Sequence, residues 1–89
     1  MGDRACTLKI VNDLGLHARA AARLAAIAQQ AIGPVWIGSG AERVDAASII
    51  DILTLACPKG SRVTLEVEDP ADRPILDRLA QLVREGFGE

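Results

Sequence analysis

The alanine-rich run from Ala18 to Ala31 constrains this chain more than any other stretch. Alanine is the best helix former, and Ala21, Leu24, Ile27, Ala28 and Ala31 recur on one stripe. The run therefore predicts an amphipathic helix whose apolar side must be covered by something else. Gly33-Pro34 ends it, since glycine leaves the helix readily and proline cannot continue one. The covering element is a sheet. Cys6 to Val11 alternates like a strand, and Arg62 to Glu68 alternates strictly, with Val63, Leu65 and Val67 on one face. Val35-Trp36-Ile37 and Arg43-Val44 flank Gly38-Ser39-Gly40 and predict a hairpin.

Two further helices complete the pattern. One runs from Ser48 to about Leu55 and is closed by Pro58-Lys59-Gly60. The last carries Ile75, Leu76, Leu79, Leu82 and Val83 on its apolar side and stops near Gly86. Its start has two solutions, because Asp69-Pro70 and Asp72-Arg73-Pro74 both read as caps; a start at the first sets Pro74 awkwardly inside the helix. Seven elements in the order βαββαβα predict an α+β open-faced β-sandwich. Its four-stranded antiparallel sheet is covered on one face by three helices. Eighty-nine residues suffice for a single domain, 1–89, with little room for both a nucleotide pocket and a substrate pocket.

Several function classes are disfavoured at once. A net charge of −2 and two aromatic residues, Trp36 and Phe87, do not make a nucleic-acid surface. Trp36 reads as a half-buried strand residue. No run approaches the length of a membrane span and the N-terminus lacks the apolar core of a signal peptide, so a cytoplasmic location is expected. Cys6 and Cys57 fit no metal spacing and read as buried, reduced thiols, so neither a metal nor a cofactor is expected. Glu66, Glu68, Asp69 and Asp72 read as a solvated acidic face.

The chemistry concentrates at His17, the one histidine, in Gly15-Leu16-His17-Ala18-Arg19. An imidazole at a helix start faces backbone N–H groups without intrahelical partners and the positive end of the helix dipole. That is a place for a phosphate, here one carried on the ring itself. Neutral imidazole is a nucleophile near neutral pH and can bond to phosphorus. The amides of Ala18, Arg19 and Ala20 are the backbone donors, the Arg19 guanidinium suits phosphate oxygens, and Gly15 lets the loop bend close. A plain surface histidine at a helix start fits the same spacing. A hydrolase triad does not, since no serine or cysteine is near His17 in sequence.

Gly15-Leu16-His17-Ala18-Arg19-Ala20-Ala21 resembles the active-site segment of the HPr family, the histidine-containing phosphocarriers of the phosphoenolpyruvate-dependent phosphotransferase system. Ser48-Ile49-Ile50-Asp51-Ile52-Leu53, Pro58-Lys59-Gly60 and the final helix resemble the family too, so the likeness covers essentially the whole chain. It implies the βαββαβα fold and a carrier that is not itself an enzyme. His17 would accept a phosphoryl group on Nδ1 from enzyme I and pass it to an enzyme IIA or a regulatory acceptor, with Arg19 steadying it. The family usually has proline where this chain has Ala20, which implies a less rigid helix start.

Ser48 matches a position that a dedicated kinase, HPr kinase/phosphorylase, phosphorylates in many members. It equally reads as an N-cap in a capping-box-like pattern, and Asp51 adds a like charge nearby. Ile49, Ile50, Ile52 and Leu53 are too many apolar residues for one buried face, so some are exposed for partner docking; the four-residue spacing selects Ile49 and Leu53. A monomer is expected of a relay that shows one site to successive partners. Two rivals remain, a family member devoted to regulation and an interaction module that carries no phosphate.

Overall fold

The computed structural model describes residues 4–89. The first three positions of the expected domain lie outside the described residues. The chain forms β1 (Ala5–Lys9), α1 (Ala18–Ala28), β2 (Val35–Ser39), β3 (Glu42–Asp45), α2 (Ile49–Thr54), β4 (Arg62–Val67) and α3 (Arg73–Arg84). Short 3-10 turns at Pro70–Asp72 and Gly86–Gly88 bracket α3. The sheet is antiparallel throughout in the order β1-β4-β2-β3. The predicted fold class and element order both hold.

β4 is the strand that organises the rest. It pairs with β1 on one side and β2 on the other, setting Val63 opposite Leu8, Leu65 opposite Cys6 and Ile37, and Val67 opposite Val35. Side chains of a strand alternate between faces, so one face of β4 is buried under the helices. Leu24, Ile52, Leu76, Leu79, Val83 and Phe87 complete that core from the helical side. The other face is open. There Thr7 and Thr64 share a hydroxyl hydrogen bond of 2.9 Å, and half-buried Trp36 donates its indole N–H to Glu68 at 2.7 Å. The Arg43 guanidinium lies 4.3 Å above the Trp36 ring and donates to Glu66.

Element ends differ from the sequence reading where distant groups intervene. β1 stops at Lys9, although Ile10 still exchanges backbone hydrogen bonds with Gly60 and Ser61. The hairpin turn falls at Gly40-Ala41, with Gly38 and Ser39 inside β2. α1 ends at Ala28, a turn before the predicted Ala31. Asp72 gives the reason: its carboxylate accepts the amides of Ile32 at 2.9 Å and Gly33 at 2.8 Å, holding that segment in a non-helical path. Asp72 is only 2% exposed and so is no part of a solvated acidic face. Of the two candidate starts, the α-helix takes the second, and the first opens a separate 3-10 turn. Asp69 caps the 3-10 turn through the Ala71 amide, Asp72 precedes α3, and Pro74 falls in the first turn, where no N–H is needed. Cys57 is buried and Cys6 half-buried; both are free thiols, and burial pushes the Cys6 thiol up.

Removing the Asp72 carboxylate strands two amides in a partly buried loop. Asp72→Ala is expected to cost about 2–3 kcal/mol, since hydrogen bonds to a charged group contribute about 1.5–3 kcal/mol, and urea unfolding measures it. Asp69→Ala, which removes one surface cap, is expected to cost about 1 kcal/mol.

Candidate functional site

The segment between β1 and α1 is held from two directions. Gly15 has φ +64° and sits so close to α2's exit that a Cβ would lie 2.4 Å from the Cys57 carbonyl oxygen and 2.9 Å from Pro58 Cα. Only glycine fits both the conformation and the approach. Leu16 then donates its amide to the Cys57 carbonyl at 2.9 Å and buries its side chain. Gly15 was expected to give the loop room near the ring; the backbone it makes room for is that of Cys57 and Pro58.

His17 follows as the N-cap of α1, with extended backbone (φ −80°, ψ 178°) and a side chain 23% exposed. Its carbonyl accepts the Ala21 amide at 2.9 Å, closing the first helical turn and leaving the amides of Ala18, Arg19 and Ala20 ahead of it. Nδ1 accepts from the Arg19 amide at 3.3 Å, a long and easily exchanged bond. The ring therefore presents Nδ1 to the positive end of α1. The Arg19 side chain is exposed and takes no hydrogen-bond partner among the described residues. Ala20 is buried in the first turn of α1, at the position where the family usually has proline.

The sequence reading missed the other half of this site. The Glu89 side chain, 16% exposed, hydrogen-bonds Nε2 of His17. Its second oxygen accepts from Asn12 Nδ2 at 3.1 Å, and Asn12 also donates to the Gly15 carbonyl at 2.8 Å. Hydrogen bonds from His17 and Asn12, with the nearby Arg19 charge adding, hold the Glu89 carboxyl below the usual carboxylate range. A depressed value means the contact contributes above the unfolded-state pKa and is lost as pH falls through the folded one. No local motif could have flagged a contact across seventy-two positions of sequence.

The other candidate residues lie on or at the start of α2. Ser48 caps α2, its hydroxyl accepting the Asp51 amide at 3.2 Å. Gln29, the C-cap of α1, donates to the carbonyl of Ala47, so Ser48 stands by the far end of α1 from His17. Ile49 and Leu53 are exposed as expected, at 39% and 38%. Ile50, which the four-residue spacing passed over, is more so at 75%, while Ile52 is wholly buried. Leu14, in the loop before His17, is 67% exposed. Among the described residues no cluster of His, Cys, Asp and Glu could hold a metal ion, and no helix is long and apolar enough to cross a membrane.

A lone imidazole with Nδ1 at a helix N-terminus fits phosphoryl carriage, and comparison with known proteins agrees. The family described as PTS HPr component phosphorylation site matches residues 5–85. The chain belongs to the HPr family. It is similar to the phosphocarrier protein HPr of Cupriavidus necator, 41% identical over 80 residues and covering 90% of each chain. The phosphocarrier protein NPr of Shewanella violacea is 36% identical over 80 residues, covering 90% of this chain and 88% of that one. Among solved structures, HPr-C-His from Thermoanaerobacter tengcongensis superposes with a TM-score of 0.91 at 31% identity, covering 97% of each chain. As an HPr-family member the protein is a phosphocarrier of the phosphotransferase system, not an enzyme in its own right, and it moves phosphoryl groups on its active-site histidine.

The geometry around Gly15 makes a direct prediction. Gly15→Ala meets backbone atoms on both sides and is expected to destabilise the protein by roughly 2 kcal/mol or more. It should also slow phosphoryl acceptance, because the loop that sets the start of α1 must move. Chemical unfolding alongside a transfer assay reads both.

Proposed function

We propose that His17 accepts a phosphoryl group on Nδ1 from enzyme I and passes it to an enzyme IIA or a regulatory acceptor. The observation that carries this is the ring's setting: Nδ1 at the open amides of α1, Nε2 occupied by Glu89. In the acceptance step the Nδ1 lone pair forms a bond to phosphorus while the bond from phosphorus to the donor breaks, its electron pair leaving with the donor. The weak bond from the Arg19 amide gives way, and the phosphoryl oxygens take that N–H with those of Ala18 and Ala20. The Arg19 guanidinium, exposed and close, pairs with the incoming charge. Proline would offer no N–H at the position of Ala20, so this chain has a donor there that a proline-bearing relative lacks.

Enzyme I and the acceptors dock on the exposed apolar surface of α2, formed by Ile49, Ile50 and Leu53. An exposed cluster of large aliphatic side chains is a recognition surface more often than a neutral feature. The protein works as a cytoplasmic monomer, one domain over residues 1–89, since a relay must present the same histidine to each partner in turn. Ser48 is a second phosphorylation position, addressed by a kinase of the HPr kinase/phosphorylase kind. Its hydroxyl already sits at a helix N-terminus, where a phosphate is favoured, although Asp51 in the same turn opposes it.

His17→Ala is expected to abolish phosphoryl acceptance from phosphoenolpyruvate and enzyme I while costing only about 1 kcal/mol of stability through loss of the cap. Intact mass and phosphorus NMR check it. The wild type should gain one acid-labile, base-stable phosphoryl group and the variant none; acceptance by the folded variant would overturn the assignment. Ile50→Glu is expected to raise the KM of enzyme I for this carrier about tenfold with kcat little changed, because it removes docking contacts rather than chemistry. Steady-state transfer kinetics measure it.

A further inference from the structure

The open face of the sheet is charge-matched at one end and unmatched at the other. Strand alternation and register set its side chains in rows. In the first row Glu66 and Trp36 lie side by side, and Arg43 stacks on the ring and pairs with the carboxylate. In the next, Thr7 and Thr64 bond to each other. The last row sets Lys9 opposite Arg62. Ile10 donates to the Ser61 carbonyl one step on, so Lys9 and Arg62 form a non-hydrogen-bonded pair, the kind whose side chains stand closer. Like charges placed so are destabilising. Arg43, Lys59 and Arg73 each pair with a carboxylate, whereas Lys9 and Arg62, both exposed, pair with none among the described residues. Acidic residues outnumber basic ones by 12 to 10, so carboxylates are not scarce in this chain. A local repulsion with nothing in the free molecule to offset it marks a surface that something else completes.

We infer that Lys9 and Arg62 form a docking surface for an acidic segment of a partner protein, on the face of the sheet away from the helices. Charge is the first reason. Two adjacent cations without a carboxylate of their own suit a run of Asp or Glu side chains, whose arrival replaces one repulsion by two ion pairs. Position is the second. Lys9 ends β1 and leads into the loop before His17, so the pair lies at the histidine end of the sheet. Gly60, two residues before Arg62, faces open space, and no side chain bars the rim there. The surface stands whether or not His17 carries phosphate.

The test titrates the isotope-labelled full chain with an oligoglutamate peptide at low salt and follows it by NMR. The amide resonances of Lys9, Arg62 and Thr64 should shift, those around the paired Arg73 should not, and added salt should abolish the shifts. Arg62→Glu is the decisive variant. It sets opposite charges across the two strands and should melt about 1–5 °C higher than wild type. Its affinity for the peptide should nevertheless fall about tenfold or more. Arg62→Lys should stay within about threefold of wild type, since it keeps the charge. A residue kept for the sheet loses stability and binding together; one kept for docking loses only the binding. The inference is overturned by shifts that persist unchanged in Arg62→Glu, by their absence at Lys9 and Arg62 in the wild type, or by a lower melting temperature in Arg62→Glu. Vesicles rich in phosphatidylglycerol form the second arm. Binding to them through Lys9 and Arg62, with no response to the peptide, assigns the face to a membrane surface and overturns the inference likewise.

Discussion

The contact between the Gly15-Leu16 backbone and the Cys57-Pro58 exit of α2 is the constraint on which the functional end of the molecule depends. It sets the residue at which α1 can begin. It therefore decides that a histidine, and not a neighbour, caps the helix and faces its open amides. Nothing in the imidazole itself demands that position. A loop looser by one residue would move the ring off the helix axis, where the dipole and the free N–H groups fall away within a turn. The left-handed glycine has no substitute at this packing distance, which places part of the site's chemistry in a residue without a side chain.

The site also divides the ring between two kinds of electrostatic partner. Nδ1 meets the partial positive charge of a helix start, suited to an anion that arrives and leaves. Nε2 meets a full negative charge on a segment pinned by Phe87 and Arg23. The two ring nitrogens thus face partners of opposite sign. Both are built from backbone and side chains already in place.

Much of this was legible in the sequence, and the exceptions share a cause. The alternation of Val63, Leu65 and Val67 located the central strand, the alanine run located α1, and Ser48 announced the start of α2. Each signal is local, written in period or in a cap. His17 was legible for the same reason, since a cap and a glycine stand within three residues of one another. What stayed hidden depends on residues far apart in the chain. The early end of α1 follows from Asp72, forty positions beyond the Ile32 amide it accepts, and the same burial removes Asp72 from the acidic face its neighbours suggested. Glu89 is invisible as a partner of His17 until α3 has packed and turned. The exposure of Ile50 escaped because α2 is a short helix whose burial is set by α1 and β3 packed against it, and not by its own period.

The placement of Ser48 by Gln29, at the opposite end of α1 from His17, carries a consequence for signalling. Eleven helical residues extend about 16 Å at 1.5 Å each, roughly two screening lengths in physiological salt. A charge added at Ser48 is thus muffled before it reaches the imidazole through solvent. It sits instead directly beside Ile49 and Ile50, at the edge of the exposed aliphatic surface of α2. Communication between the two ends then needs no movement inside the domain. On the proposed reading, a phosphate on Ser48 would act on the docking of a visiting protein and not on the imidazole.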